Sequence, residues 1–203
     1  MKSDHLEVEL KLLIDEKGHR SLLSHLPQEG PNLQQTNYFF DTPSSELRTH
    51  RWALRCREEN GQFTLTCKGP STRNEEGISS RPEIEAPTSK EVLRKLNDGV
   101  CLSEIDHIAT QHLSSLFGDL QVSPLLHFHN DRRRLPWHEG VIELDHSTCL
   151  GSHRYEIELE ASEADLAKWA PKLEDDLQNW KIPFTRAQDS KMKWATSMTE
   201  TKS

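Results

Sequence analysis

Short segments of this chain alternate charged and apolar residues with a period of two, and this limits what the chain can fold into. Successive side chains of a β-strand point to opposite faces, so residues i, i+2 and i+4 share one face. In the segment Leu6–Ile14, Glu7, Glu9 and Lys11 fall on one side, and Val8, Leu10 and Leu12 on the other. Arg55 and Arg57 flank Cys56, Glu83 and Glu85 flank Ile84, Glu143 and Asp145 flank Leu144, and Glu156, Glu158 and Glu160 surround Ile157 and Leu159. An antiparallel sheet with one face in water would show some of this. Here, however, acidic pairs come from several strands and a basic set comes from one hairpin. If the sheet closes with that face inward, carboxylates and guanidinium groups oppose each other across a lumen, and the apolar face points outward under helices. This inverts the usual small barrel.

The hairpin fixes a register. Glu59-Asn60-Gly61 separates two strand-like runs, Trp52–Glu58 and Gln62–Lys68, and Asn-Gly favours a two-residue turn. With Asn60 and Gly61 central, Glu59 faces Gln62, Arg57 faces Thr64, Arg55 faces Thr66 and Lys68 faces Ala53. Leu54, Cys56, Leu65 and Cys67 then share the opposite side, so polar and apolar sets separate cleanly.

Further strands are expected at Gln35–Asp41, Ser80–Ala86, Leu125–Arg134, Val141–Asp145 and Arg154–Glu160. Helices are expected at Glu16–Leu26, at Thr88–Leu96, which starts with a Thr-Ser-Lys-Glu capping pattern, at Ser103–Phe117 with Ser103 as N-cap, and at Glu163–Trp180. The last carries an apolar stripe of Leu166, Trp169, Ala170, Leu173, Leu177 and Trp180. The expected fold class is α+β, a largely antiparallel sheet with helices packed on it. The end segment, Thr196–Ser203, reads as a frayed tail, flexible from about 197.

The 203 residues suit one domain, and no repeat or linker divides them. Lys plus Arg is 25 and Asp plus Glu is 33, a net charge of −8, which excludes a non-specific nucleic-acid coat as the main role. No apolar run approaches the ~18 residues a membrane helix needs. The charged N-terminal stretch does not read as a signal peptide. Cys56, Cys67, Cys101 and Cys149 have no metal-finger spacing and read as free thiols of a reducing cytoplasm. His127 and His129 alternate, but no partner stands at a familiar metal-ligand spacing. The five Trp read as core or helix-docking residues.

A cavity lined by both signs of charge is costly unless it binds something. Clustered carboxylates suit a hard divalent cation, Mg²⁺ or Mn²⁺. Arg and Lys suit phosphate oxygens, with Arg able to bind in bidentate fashion. Together they form the apparatus of phosphoryl transfer or hydrolysis.

The same residues resemble a known family. Glu7-Val8-Glu9-Leu10-Lys11 is similar to the ExExK signature of the CYTH superfamily, the triphosphate tunnel metalloenzymes. In order there follow Tyr38-Phe39-Phe40-Asp41-Thr42-Pro43, Leu54-Arg55-Cys56-Arg57, Leu65-Thr66-Cys67-Lys68, Arg81-Pro82-Glu83-Ile84-Glu85, Asn130-Asp131-Arg132, Glu143-Leu144-Asp145 with Tyr155-Glu156-Ile157-Glu158, and Ser190-Lys191. The spacing looks most like the short, single-domain bacterial branch, so residues 1–203 are expected to form one such domain. The resemblance implies an eight-stranded antiparallel β-barrel forming a charged tunnel, with helices outside. It implies a metal-dependent enzyme, needing Mg²⁺ or Mn²⁺, that acts on triphosphate groups, with inorganic tripolyphosphate as first choice of substrate.

Carried over by position, Glu7, Glu9 and Glu158 resemble metal ligands, with Asp145 and Glu156 near a second metal or an attacking water. Lys11, Arg55, Arg57, Lys68, Arg132 and Lys191 resemble triphosphate ligands, with Arg134 as the same-face neighbour of Arg132. Catalytic roles fall to Glu156, Asp145 and Lys11. Glu83 and Glu85 stay open between the metal side and charge balancing, and Glu160 reads as a solvated strand end. A thiamine- or nucleoside-triphosphatase, a class IV adenylyl cyclase, or a non-catalytic polyphosphate-binding module would share these features. The implied partner is a small-molecule triphosphate, with no nucleic acid and no membrane. Monomer and homodimer both stay open.

Overall fold

A computed structural model describes residues 3–200. In chain order it contains β1 (Ser3–Ile14), α1 (Glu16–His25), β2 (Asn32–Asp41), α2 (Glu46–Thr49), β3 (Ala53–Glu59), β4 (Gln62–Lys68), β5 (Thr72–Arg73), β6 (Ser79–Thr88), α3 (Lys90–Asp98), β7 (Val100–Cys101), a 3₁₀ turn (Leu102–Glu104), α4 (Ile108–Phe117), β8 (Gln121–Trp137), β9 (Gly140–Cys149), β10 (Ser152–Glu160), α5 (Glu163–Asn179), β11 (Phe184–Arg186) and α6 (Lys191–Glu200). The strand order is β11-β1-β10-β9-β8-β2-β3-β4-β6-β5, and β1 also pairs with β6. Eight strands therefore close into an antiparallel ring of pairings, the barrel connectivity expected.

The residues divide into two compact units. Among the described residues, the first holds 3–7, 35–71 and 81–128. Its β3–β4 hairpin has the register read from the sequence: Arg57 lies opposite Thr64, Arg55 opposite Thr66 and Ala53 opposite Lys68. Asn60 (φ 49°) and Gly61 (φ 79°) both take left-handed backbone, as the tight turn demands. The apolar face, with Leu54, Cys56, Leu65, Cys67 and Ile84, is buried with Leu93 and Leu96 of α3 and Ala109 and Leu113 of α4. Truncating one of these leucines to Ala typically costs about 2–5 kcal/mol.

Among the described residues, the second unit holds 8–34, 72–80 and 129–200. Leu10, Leu12, Leu144, Ile157 and Leu159 pack there with Leu22 of α1 and Leu166, Leu173 and Leu177 of α5. The helices thus cover the apolar strand faces in both units. The charged faces are buried as well: Arg55 is 8% exposed, and Asp145 and Glu156 are 0% exposed. A sheet with one solvated face does not bury its charged side chains this way.

Three local expectations are corrected. The helix expected over Ser103–Phe117 is split, because Ser103 donates from its N–H and its hydroxyl to the Asp119 carboxylate at 2.9 and 2.8 Å. Helix α4 starts instead after His107, whose Nδ1 accepts the Ala109 N–H at 3.1 Å. Helix α3 is capped by Ser89, whose side chain accepts from the Val92 N–H, not by Thr88. The segment read as a tail from about 197 includes the last turn of α6, where Thr196 is buried and Thr199 Oγ1 donates to Thr196 O at 2.7 Å. The end of that segment, 201–203, lies outside the described residues. Among the described residues, no helix is long and apolar enough to cross a membrane.

Candidate active site

Each unit buries one cluster of opposite charges on its polar strand face. In the second unit the strands β1, β8, β9 and β10 deliver alternate residues to one side, because Lys11 pairs with Glu158, Asp145 with Glu156 and Arg132 with Asp145 across adjacent strands. Lys191 enters from the first turn of α6. Its Nζ lies 2.7 Å from Asp145 Oδ2, 2.7 Å from Glu156 Oε2 and 2.5 Å from Glu158 Oε1. Arg132 grips Asp145 in bidentate fashion, Nε to Oδ1 and Nη2 to Oδ2 at 2.7 Å each, and its Nη2 reaches Glu158 Oε2 at 2.6 Å. Arg132 Nη1 also contacts Glu143. Lys11 Nζ donates to Glu9 Oε1 at 2.7 Å and lies 3.3 Å from Glu158 Oε1.

The charge balance sets the protonation states. Burial alone would raise the carboxyls of Asp145 and Glu158. Lys191 and Arg132 outweigh it at Asp145, and Lys11, Lys191 and Arg132 outweigh it at Glu158, so both lie below the ordinary carboxylate range. Burial would lower the Lys191 ammonium, but Asp145, Glu156 and Glu158 raise it above the ordinary range. All are held charged at neutral pH. Glu143 differs, since burial pushes its carboxyl up despite Arg132.

In the first unit the cluster consists of Glu7, Arg55, Arg57, Lys68, Arg81, Glu83 and Glu85. Lys68 Nζ donates to Glu7 Oε1 at 2.8 Å and lies 2.6 Å from Glu83 Oε2. Arg81 Nε reaches Glu7 Oε2 at 2.5 Å. Arg57 Nε donates to Asn37 Oδ1 at 3.0 Å. Thr66 Oγ1 accepts from Arg55 Nη2 at 3.2 Å and donates to Glu85 Oε2 at 3.3 Å. Burial, followed by the Arg81 charge, lowers Lys68. Burial, with the Glu7 charge, raises Glu83. Distances of 2.6–2.8 Å fit a neutral amine–carboxylic acid pair as well as an ion pair, and both shifts run toward the neutral pair. Two buried nitrogens and one oxygen of these clusters lack a hydrogen-bond partner: Arg55 Nε, Arg154 Nε and Glu156 Oε2, whose approach to Lys191 is off the hydrogen-bonding direction.

Most residues singled out from the sequence are in these clusters. Glu7, Arg55, Arg57, Lys68, Glu83 and Glu85 lie in the first, and Glu9, Lys11, Arg132, Asp145, Glu156, Glu158 and Lys191 in the second. Arg134 is less engaged: its side chain is 49% exposed and pairs with Glu143 at 3.2 Å. Glu160 is exposed. Three members were not assigned a role from the sequence. Arg81 and Glu143 carry the parity of Glu83 and Asp145. Arg154 carries that of Glu156; its Nη2 donates to Glu156 Oε1 at 2.6 Å and to Asp189 O at 2.7 Å. The same period of two that marked their neighbours could have found all three.

Other chemistries are poorly served. Burial pushes the Cys56 thiol up to about 12, so it stays protonated and inert. Among the described residues no group of three or more His, Cys, Asp or Glu side chains is arranged to hold a metal as it stands, because cations already engage the carboxylates. The donor set still fits a hard cation. Asp145, Glu156 and Glu158 offer only oxygen, and an ammonium held among their three carboxylates marks a place of strong negative potential.

The model of the CYTH domain matches residues 5–181. The chain belongs to the CYTH family. It is 30% identical over 192 residues to YjbK of Bacillus subtilis (strain 168), named as a candidate triphosphatase, with 89% of this chain and 90% of that protein covered. Among solved structures it is similar to HpAC1 from Hippeastrum, a candidate adenylyl cyclase described as having a dominant triphosphatase activity, at 25% identity and TM-score 0.82 over 94% of this chain and 95% of that one. A candidate adenylate cyclase from Bacillus halodurans has the same fold, at 23% identity and TM-score 0.75 over 94% of this chain and 97% of the other.

Proposed function

We propose that this CYTH protein is a divalent-metal-dependent triphosphatase that hydrolyses the terminal phosphoanhydride of a linear triphosphate, with inorganic tripolyphosphate as substrate. The observation that carries this reading is the burial of Asp145, Glu156 and Glu158 on one strand face together with Lys11, Arg132 and Lys191. Hard oxygen donors and phosphate-binding cations occur there in one cluster. The names given to YjbK and HpAC1 support it.

In the second unit Glu9, Glu158, Asp145 and Glu156, and in the first unit Glu7, are the residues we assign to Mg²⁺ or Mn²⁺. When bound, such an ion polarises phosphate oxygens and offsets the charge that develops on them. Lys11, Arg132 and Lys191, with Arg134 at the exposed edge, are assigned to phosphate oxygens, and in the first unit Arg55, Arg57 and Lys68 are assigned likewise. Arg132 has the fork geometry for bidentate contact. Glu156 and Asp145 orient the attacking water, and Glu156 Oε2 takes up its proton. The products are pyrophosphate and orthophosphate. Lys11 stabilises the leaving oxygens, and Glu83 and Glu85 balance the charge around Lys68 and Thr66.

A second reading, cyclisation of ATP, is favoured only by the names of the two structural relatives. The test is a panel of tripolyphosphate, thiamine triphosphate and ATP, each with Mg²⁺ and with Mn²⁺, with product analysis. Orthophosphate release, greatest from tripolyphosphate, is expected. Cyclic AMP from ATP would establish the cyclase instead, and binding without turnover would make the protein a polyphosphate-binding module.

A further inference from the structure

The polar face of the first unit is interrupted by an aromatic residue beside Arg55. Along β2, Gln35, Asn37 and Phe39 share a side. Gln35 donates to Glu59 at 2.6 Å and Asn37 accepts from Arg57 at 3.0 Å, but Phe39 lies directly opposite Arg55. A phenyl ring cannot accept from a guanidinium as an amide does. On its other side Arg55 has Thr66, and it lies 4.0 Å from Glu83, which leaves its Nε buried without a hydrogen bond. Such a donor calls for an acceptor, which water or a bound anion can supply. The Phe39 ring is not available to stack on that ligand. It lies face to face with Phe128 of β8, at 5.7 Å between centroids and 23° between planes, and the two residues are only 8% and 3% exposed.

We propose that Phe39 and Phe128 set substrate specificity: the closed ring pair admits a bare phosphoryl group at Arg55 and rejects a ribose, base or other organic substituent. This rests on the assignment of Arg55 as a phosphate ligand and narrows the substrate class to inorganic chains. A sugar or base would gain affinity from a free ring face or a hydrogen-bonding edge beside the anion, and this buried pair offers neither while its bulk occupies the space. A bare phosphate needs only donors, which Arg55 has.

The test is kcat/KM for tripolyphosphate, methyl triphosphate and ATP with one metal, in the wild type and in Phe39→Ala, Phe128→Ala and Phe39→Leu. The wild type should prefer tripolyphosphate to ATP by at least about tenfold, with methyl triphosphate between. Phe39→Ala and Phe128→Ala should shrink that preference about tenfold or more, while Phe39→Leu, which keeps most of the bulk, retains it. An active wild type that shows no preference, or folded Ala variants with an unchanged ratio, overturns this inference and leaves the triphosphatase reading standing. If the Ala variants do not fold, the wild-type size series decides, and a flat series overturns the inference. A wild type that turns over none of the three overturns both.

Discussion

In the second unit Lys191 lies among three carboxylates and Arg132 grips Asp145 with two nitrogens, so the charged forms are favoured over the neutral ones. In the first unit Lys68 sits between Glu7 and Glu83 at similar distances, yet burial lowers the Lys68 ammonium and raises the Glu83 carboxyl from their ordinary values. The difference lies in the neighbours. Arg81 and Arg55 oppose the charge on Lys68, and Glu7 opposes the charge on Glu83. Around Lys191 the attractive carboxylates outweigh Arg132. Equal distances therefore do not mean equal electrostatics. The second cluster is locked by its own charges. The first is not, and on the proposed function its cations are the ones a polyanion would meet.

The comparison can be broken in several ways, beginning with the largest expected effect. Glu156→Gln keeps the size of the side chain but removes its charge and the proton acceptor. We expect kcat for phosphate release to fall on the order of 10²–10³-fold, with the fold retained by circular dichroism. Loss of less than tenfold would remove Glu156 from the reaction.

Replacing the two lysines comes next. Lys191→Met leaves Asp145, Glu156 and Glu158 without their shared cation and should destabilise the metal-free protein by about 3–5 kcal/mol in urea unfolding. Lys68→Met should cost much less, about 0–2 kcal/mol, since its burial already works against its charge. Equal losses would show that the two clusters do not differ.

The pH dependence separates them by sign, again in metal-free protein. The folded-state pKa of Glu158 is lowered, so its contribution is present above the unfolded value of about 4.3 and is lost as pH falls through the folded value. The folded-state pKa of Glu83 is raised, so its contribution is present below about 4.3 and is lost as pH rises through the folded value. Relative to wild type, Glu158→Gln should therefore lose stability as pH rises toward about 4.3, and Glu83→Gln should gain it as pH rises above that. Urea midpoints measured across both windows would show opposite slopes. Parallel slopes would contradict the assignment.

At the small end, Arg134→Ala touches a half-exposed pair and should change stability by under ~1 kcal/mol. Gly61→Ala, placed in the turn at φ 79°, should cost about 1–2 kcal/mol through the left-handed backbone. A loss from Arg134→Ala larger than that from Gly61→Ala would mean that the Glu143 pair is more buried than its exposure indicates.

Much of this was legible in the sequence because strands encode faces by parity. The Asn60-Gly61 turn sufficed to set every pair in the β3–β4 ladder, and the strand residues of both clusters lie on the parity of the ExExK strand and its partners, Lys191 alone coming from a helix. What was missed depends on contacts that parity does not report. Ser103 reads as a helix cap until Asp119, sixteen residues on, captures it. Thr196 sits in a polar stretch, and only packing in the second unit makes it part of a helix. Arg154 was visible in principle, but its role depends on the backbone carbonyl of Asp189, which no side-chain pattern predicts.

The central claim is that buried carboxylates and cations on these strand faces hydrolyse a polyphosphate with the help of a divalent ion. The most direct test is the initial rate of orthophosphate release from tripolyphosphate by the full chain, measured with Mg²⁺ or Mn²⁺, after chelation with EDTA, and after the ion is restored. The account predicts turnover that drops to background on chelation and returns with the ion. Folded protein that releases no phosphate with either ion, or releases it equally well under chelator, would contradict it.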